Sequence, residues 1–138
     1  MTDKITPEQR SKVMQSIHAQ SKLENQISKA LWKKGLRFRK NVRNLYGTPD
    51  ISIKKYKLVI FIDSCFWHSC PLHGKMPKSN QEFWQKKLQR NVEHDKEVTS
   101  YYLDKGWNIM RIWEHDIKEN FDHIIEIIFS FVEEAKKK

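Results

Sequence analysis

The stretch Gly47-Thr48-Pro49-Asp50-Ile51-Ser52-Ile53 and the one that follows it, Leu58-Val59-Ile60-Phe61-Ile62-Asp63, decide how this chain folds. Leu58 to Ile62 is a continuous apolar run, the pattern of a central strand covered on both faces. Pro49 to Ile53 comes directly after the turn residues Gly47-Thr48 and reads as a neighbouring strand. Pro49 fixes the approach, and Asp50 stands at the sheet edge. Pro-Asp is also an ordinary turn pair. Its chemical reading comes from the acid, Asp63, that closes the adjacent apolar strand. Two neighbouring strands that each bring an acid or a carbonyl to one sheet end can hold a hard divalent cation. Mg2+ commonly takes one or two carboxylates, with waters and phosphates completing its shell.

Helices surround these strands. Thr6-Pro7-Glu8-Gln9 has an N-cap hydroxyl and Pro at the first helical position, which predicts a short helix to about Ala19. With only Val13, Met14 and Ile17 as an apolar stripe, it is an arm rather than a core element. Ser21-Lys22-Leu23-Glu24 reads as a capping box. It opens a second helix with Leu23, Ile27, Ala30 and Leu31 on one face and Gly35 as its stop. Glu24 either caps that helix or reaches the acidic site. Leu36 to Arg39 alternates like a strand. Ser79 or Asn80 caps a long helix to about Lys105, Trp107 to Trp113 reads as another strand, and Asp116 or Asn120 starts a final helix through Phe131. The order α-α-β-β-β-α-β-α predicts an α/β fold, a mixed central sheet flanked by helices.

The 138 residues suit one domain. Such a chain buries roughly two-thirds of its unfolded surface and needs no staples. The 26 Lys and Arg against 17 Asp and Glu leave a net charge of +9, which points to a polyanionic partner or to a solubilising surface. No run approaches the roughly 18 apolar residues that would suggest a membrane span, and Met1 to Arg10 lacks a signal-peptide core. The expected setting is cytoplasmic. Cys65 and Cys70 are too few for a disulfide framework and in a reducing compartment suggest metal binding.

The stretch Cys65-Phe66-Trp67-His68-Ser69-Cys70-Pro71-Leu72-His73 places four possible metal ligands within nine residues. A closed zinc site needs four N/S ligands. Cys65, Cys70 and His73 have suitable spacing for three. His115, just past the last strand, is the best fourth ligand, and His68 is the alternative. If His115 serves, His68 is left to transfer protons near neutral pH. His18, His94 and His123 lie in helical stretches and read as surface residues. Phe66 and Trp67 are consecutive rings in a polar loop. In a basic protein, exposed rings suggest stacking on bases, worth roughly 1–3 kcal/mol per base.

In order and at matching spacing, Glu24, Gly47-Thr48-Pro49-Asp50, Cys65-Phe66-Trp67-His68, Glu82-Phe83-Trp84 with Asn91 and Asp95, and Trp113-Glu114 resemble the very short patch repair (Vsr) endonucleases. These enzymes nick DNA beside T:G mismatches. The resemblance covers Ser11 to Ile117 and implies the restriction-endonuclease-like, PD-(D/E)XK nuclease fold with a structural zinc site. It implies that Asp50 bridges two Mg2+ ions, that the Ile62 carbonyl is a further ligand, that His68 is catalytic and that Glu24 orients it. Cys65, Cys70, His73 and His115 would hold Zn2+. Phe66, Trp67 and Trp84 match rings that enter the duplex, and Lys87 and Asn91 match positions near the mismatched pair. The sequence departs from the wider nuclease pattern at Ile62-Asp63-Ser64, which offers no acid-x-Lys. Where the repair family can carry a second His, this chain has Asp63, an acid that ligates metal or holds another partner.

The expected protein is a single endonuclease domain over residues 1–138, with residues 1–20 as a DNA-contacting arm. It would be a monomer near the bacterial nucleoid, nicking mismatched double-stranded DNA with Mg2+ and having mismatch-repair proteins as further partners. A restriction-type enzyme cutting intact duplex is the alternative. A non-enzymatic zinc-stabilised DNA-binding module would explain the charge and the Cys/His loop but leaves Asp50 without a task. If the +9 charge serves DNA, neutralising about five phosphates gives a log–log salt slope of roughly −4 to −5. Titrations of DNA binding from low to moderate salt check this; a flat response assigns the charge elsewhere.

Overall fold

A computed structural model of the chain describes Arg10, residues 22–63 and residues 80–137. Four strands form one sheet in the order β1-β2-β3-β4: β1 (Arg39–Lys40), β2 (Ile51–Ile53), β3 (Leu58–Asp63) and β4 (Asn108–Trp113). β1–β2 and β2–β3 are antiparallel, and β3–β4 is parallel, with Leu58 opposite Asn108 and Asp63 opposite Trp113. Between β3 and β4 the chain carries α2 (Gln81–Asp104). α1 covers residues 22–33. After β4 come α3 (Glu114–Glu119) and α4 (Phe121–Lys136). This mixed sheet flanked by helices fits the restriction-endonuclease-like fold that the resemblance implies.

All six residues of β3 are buried. Alternation along the strand divides them between two cores. Leu58, Ile60 and Ile62 join Leu23, Ile27 and Leu31 of α1 and Ile124, Ile128 and Val132 of α4 on one face. Val59 and Phe61 join Val98 and Tyr102 of α2 on the other. Full burial of a side chain such as Ile60 or Ile128 contributes about 1.5–3 kcal/mol, so the larger cluster holds most of the apolar stabilisation. By the same alternation, Asp50, Ser52, Asp63 and Arg111 share the α2 side of the sheet.

Two expectations need correction. The strand expected at Leu36 to Arg39 forms only at Arg39–Lys40. Leu36 is instead buried beneath the end of α1, and its N–H bonds to the Leu31 carbonyl at 3.1 Å. That donor is unavailable to a ladder. The single final helix is two helices. Asn120, at φ −137° and ψ 49°, breaks the run; its N–H closes α3 on Asp116 while its carbonyl receives the Ile124 N–H of α4. The arm expected over residues 1–20 lies, apart from Arg10, outside the described residues.

The segment before Asp50 has unusual backbone geometry. Gly47 is left-handed at φ 76°, and Thr48 follows at φ 49°. A β-branched residue rarely adopts that region, and such positions cost about 1–3 kcal/mol that the surroundings must offset. Gly47 lies tightly against α2: a Cβ there would come 2.8 and 2.9 Å from the two methyls of Val98. Gly47→Ala is therefore expected to destabilise by about 2–4 kcal/mol, combining left-handed strain with overpacking. Pairing it with Val98→Ala should cost less than the two single losses summed, as thermal melting of the three variants will read.

Candidate active site

Four elements meet where β3 and β4 end. Asp50 enters from the start of β2, Ile62 and Asp63 from β3, Arg111 from β4, and Asn91, His94 and Asp95 from α2. With Gly47, Thr48, Phe61 and Val98 they wall a cleft of about 290 Å3. Ligands of open α/β sheets bind in such a place, outside the carboxyl ends of parallel strands.

Asp50 is held from two directions. Its Oδ2 accepts the Ile62 N–H at 2.6 Å, and its main-chain carbonyl accepts the Asn41 N–H at 3.2 Å. The register explains why a side chain does this. Continued beyond the Ile51–Ile60 pair, the β2–β3 ladder would set Pro49 against Ile62. Proline has no N–H to donate to the Ile62 carbonyl. The ladder ends there, and the carboxylate receives the Ile62 N–H in a charge-assisted bond, stronger than a neutral one. The Asp50 carboxylate and the Ile62 main chain thus meet at one corner of the cleft. An all-oxygen donor set of this kind suits a hard cation such as Mg2+, which needs few protein ligands.

Asp63 and Arg111 form the other corner. Arg111 Nη1 lies 2.9 Å from Asp63 Oδ1, with the Asp63 side chain only 9% exposed. Nε of Arg111 donates to Thr99 Oγ1 at 2.8 Å, and Nη2 donates to the Asp95 carbonyl at 3.2 Å. The guanidinium also lies 4.5 Å from the centre of the Phe61 ring. Asp50, Asp63 and Asp95 share the cleft, yet among the described residues no three His, Cys, Asp or Glu side chains converge as a metal cluster.

The remaining expected residues fall in different places. Asn91 is a cleft wall, and Lys87 is exposed one turn earlier on α2. Glu24 is partly buried on α1 and does not wall the cleft. Its neighbour Asn25 accepts a 2.8 Å bond from Lys40, which pairs with Ile51. This tether sets the Glu24-Asn25 part of α1 at the same sheet end as Asp50. Trp84, on α2, is 1% exposed and packs edge-on to Phe83. His115 is the second residue of α3, two positions past the end of β4; its ring lies nearly parallel to Trp113, and Nε2 is 3.4 Å from Asp116 Oδ1. Cys65, Phe66, Trp67, His68, Cys70 and His73 lie outside the described residues.

Three features escaped the sequence reading. His94, expected as a plain surface residue, is exposed but also walls the cleft and meets Tyr46 edge-on at 5.9 Å. Arg111 was missed, although a charge inside Asn108-Ile109-Met110-Arg111-Ile112-Trp113 is itself a signal of a buried partner. The Tyr102 hydroxyl donates to the Tyr46 carbonyl at 2.6 Å, anchoring the loop just before Gly47.

The model of the family described as DNA mismatch endonuclease Vsr matches residues 2–73. The chain belongs to this family. It is 45% identical over 122 residues to the type II nicking enzyme V.HpaIIP of Haemophilus parainfluenzae, covering 86% of both chains. It is 43% identical over 121 residues to the type II nicking enzyme V.NmeDIP of Neisseria meningitidis serogroup C, covering 86% of this chain and 82% of that one. To the DNA mismatch endonuclease Vsr of Escherichia coli K12 it is 37% identical over 115 residues, covering 81% and 71%. As a Vsr-family member it is a DNA endonuclease, a hydrolase of phosphodiester bonds, with DNA as substrate. Among the described residues no helix is long and apolar enough to cross a membrane.

Burial, with a smaller contribution from the neighbouring Tyr101, pushes the Tyr102 hydroxyl from 10.0 up to about 12. The unfolded chain ionises this group first as pH rises. Its contribution to stability is therefore present below about pH 10 and lost as pH climbs through 12. Tyrosinate absorbance and melting curves between pH 9 and 12 check this. Tyr102→Phe should remove the last-ionising component and lower stability by about 1–2 kcal/mol, because it leaves the Tyr46 carbonyl without this donor.

Proposed function

We propose that this chain nicks one strand of duplex DNA beside a T:G mismatch and so starts very short patch repair. The observation that carries the reading is the Asp50 corner: a carboxylate anchored on the Ile62 N–H at 2.6 Å, in a cleft whose opposite wall is Asn91 on α2. Mg2+, held by Asp50 and the Ile62 carbonyl, would polarise the scissile phosphodiester and stabilise the charge developing on it. Asp50 is kept rigid for this by its two anchors. His68 takes the proton of the attacking water, and Glu24, at the same sheet end as Asp50, orients it. Attack on phosphorus with loss of the 3′ oxygen leaves a 5′-phosphate and a 3′-hydroxyl. These roles for His68 and Glu24 rest on the family resemblance.

Discrimination is assigned to Phe66 and Trp67. A T:G wobble stacks less well than a matched pair and opens at lower cost, and inserted rings recover stacking worth about 1–3 kcal/mol per base. Asn91 and Lys87 approach the mismatched pair from α2. Cys65, Cys70, His73 and His115 are proposed to hold a structural Zn2+. In support, the register sets Asp63 beside Trp113, so the chain leaves β3 toward Cys65 and β4 toward His115 from paired positions.

A second reading keeps the chemistry and changes the target to intact duplex. Similarity to two proteins named type II nicking enzymes keeps it in the test. Purified protein, its zinc content measured, is assayed on labelled duplexes carrying each mismatch or none, with and without Mg2+. The expected outcome is one zinc per chain and Mg2+-dependent nicking confined to T:G. Asp50→Asn should cut at least about a thousandfold more slowly and still bind DNA, since it removes a charged ligand and no core contact. Equal cutting of matched duplex selects the second reading, and normal cutting by Asp50→Asn removes the site assignment.

A further inference from the structure

We propose that Arg111 is a positioning residue of this cleft, and that Asp63 is its counter-ion rather than a ligand of the catalytic cation. The inference rests on the Asp50 reading above and deepens it. Arg111 spans three elements. From β4 it reaches Asp63 at the end of β3 at 2.9 Å, and on α2 it reaches the Thr99 hydroxyl at 2.8 Å and the Asp95 carbonyl at 3.2 Å. Its guanidinium rests on the Phe61 ring. A planar fork of donors with fixed geometry suits this task, and a flexible point charge does not.

The contacts on α2 lie in the turn that carries the cleft wall. Asp95 and Thr99 are one turn apart, and Asn91 is one turn before Asp95 on the same helix. The Arg111 clamp thus fixes how far the α2 wall stands from Asp50. It also settles the charge of the cleft. Three carboxylates, on Asp50, Asp63 and Asp95, would repel a phosphodiester. Arg111 is bonded to Asp63 and lies 3.9 Å from the Asp95 carboxylate, offsetting one of those charges. The wider nuclease pattern expects a lysine two residues after its acid on one strand. Here no such lysine follows Ile62-Asp63-Ser64, and the cation comes from the adjacent strand, where Arg111 stands opposite Phe61.

A double-mutant cycle tests the clamp, using the full chain with three readouts: nicking kinetics on T:G duplex, melting temperature, and Mg2+ affinity without DNA. Arg111→Gln and Asp63→Asn are each expected to lower kcat at least tenfold and to lower the melting temperature, because each removes one half of a mostly buried ion pair. The double variant should recover at least tenfold of the kcat loss and part of the melting loss. Mg2+ affinity should stay within twofold in Asp63→Asn. Thr99→Val, which removes one arm of the clamp and no charge, should lower kcat several-fold with KM unchanged. It keeps the test decisive if the charge variants do not fold. Additive losses in the double variant, loss of Mg2+ binding in Asp63→Asn, or unchanged kcat in Thr99→Val each overturn the proposal. Asp50→Asn run alongside separates the two readings. If it cuts normally, the site itself is wrong. If it is inactive while the Arg111 variants cut normally, only the clamp is.

Discussion

The burial of β3 on both faces is the constraint from which the rest follows. A strand with no solvent face sends alternate residues into two different cores, and both must be built by other segments. Leu58, Ile60 and Ile62 require α1 and α4; Val59 and Phe61 require α2. A slip of one residue would exchange the two sets and drive Asp63 into the larger apolar cluster. Register is therefore tightly fixed, and with it the placing of every polar group at the strand's end. The site is accurate because the core beneath it admits only one alignment.

At the cleft this alignment ends in two different ways. On the β2 side a proline stops the ladder and a carboxylate takes over a main-chain donor. On the β4 side the ladder runs on to Asp63 and Trp113, and the acid at its end meets an arginine from the neighbouring strand. One corner thus carries a carboxylate bonded to a main-chain N–H and the other an ion pair. Two acids of the same chemical type acquire separate characters from what lies beside them, the general route by which one fold differentiates its carboxylates.

Much of this was legible from residue order. The apolar run of β3, the turn at Gly47-Thr48 and the long helix after Asn80 follow from local pattern, and the structure keeps them. What local pattern could not carry was the end of α1, where Leu36 serves the helix cap before it can serve a strand. Nor could it separate Trp84 as a core residue from Trp84 as an exposed ring, since both fit a helix stripe. The clearest overlooked signal lies in α2. Positions 84, 88, 91, 95, 98 and 102 follow the alternating three- and four-residue spacing of a buried face. Four of them are Trp, Leu, Val and Tyr, while the middle two are Asn91 and Asp95. Polar residues at core spacing mark a place where the helix faces something other than core. Arg111 follows the same logic within a strand. Partners in space, such as Arg111 with Asp63, are not ordered along the chain, and only the sheet brings them together.

The parallel pairing of β3 with β4 also has a consequence in time. Leu58 aligns with Asn108 across the whole of α2, and Asp50 stands sixty-one residues before Arg111. Contacts so distant along the chain form late, because a long loop must close before any of them rewards it. During synthesis Asp50 leaves the ribosome well before β4 exists, and until β4 docks there is no Arg111 ion pair and no complete cleft. A chain interrupted before Trp113 carries the acid without its setting. The topology makes the complete cleft depend on a strand that the chain supplies only after α2.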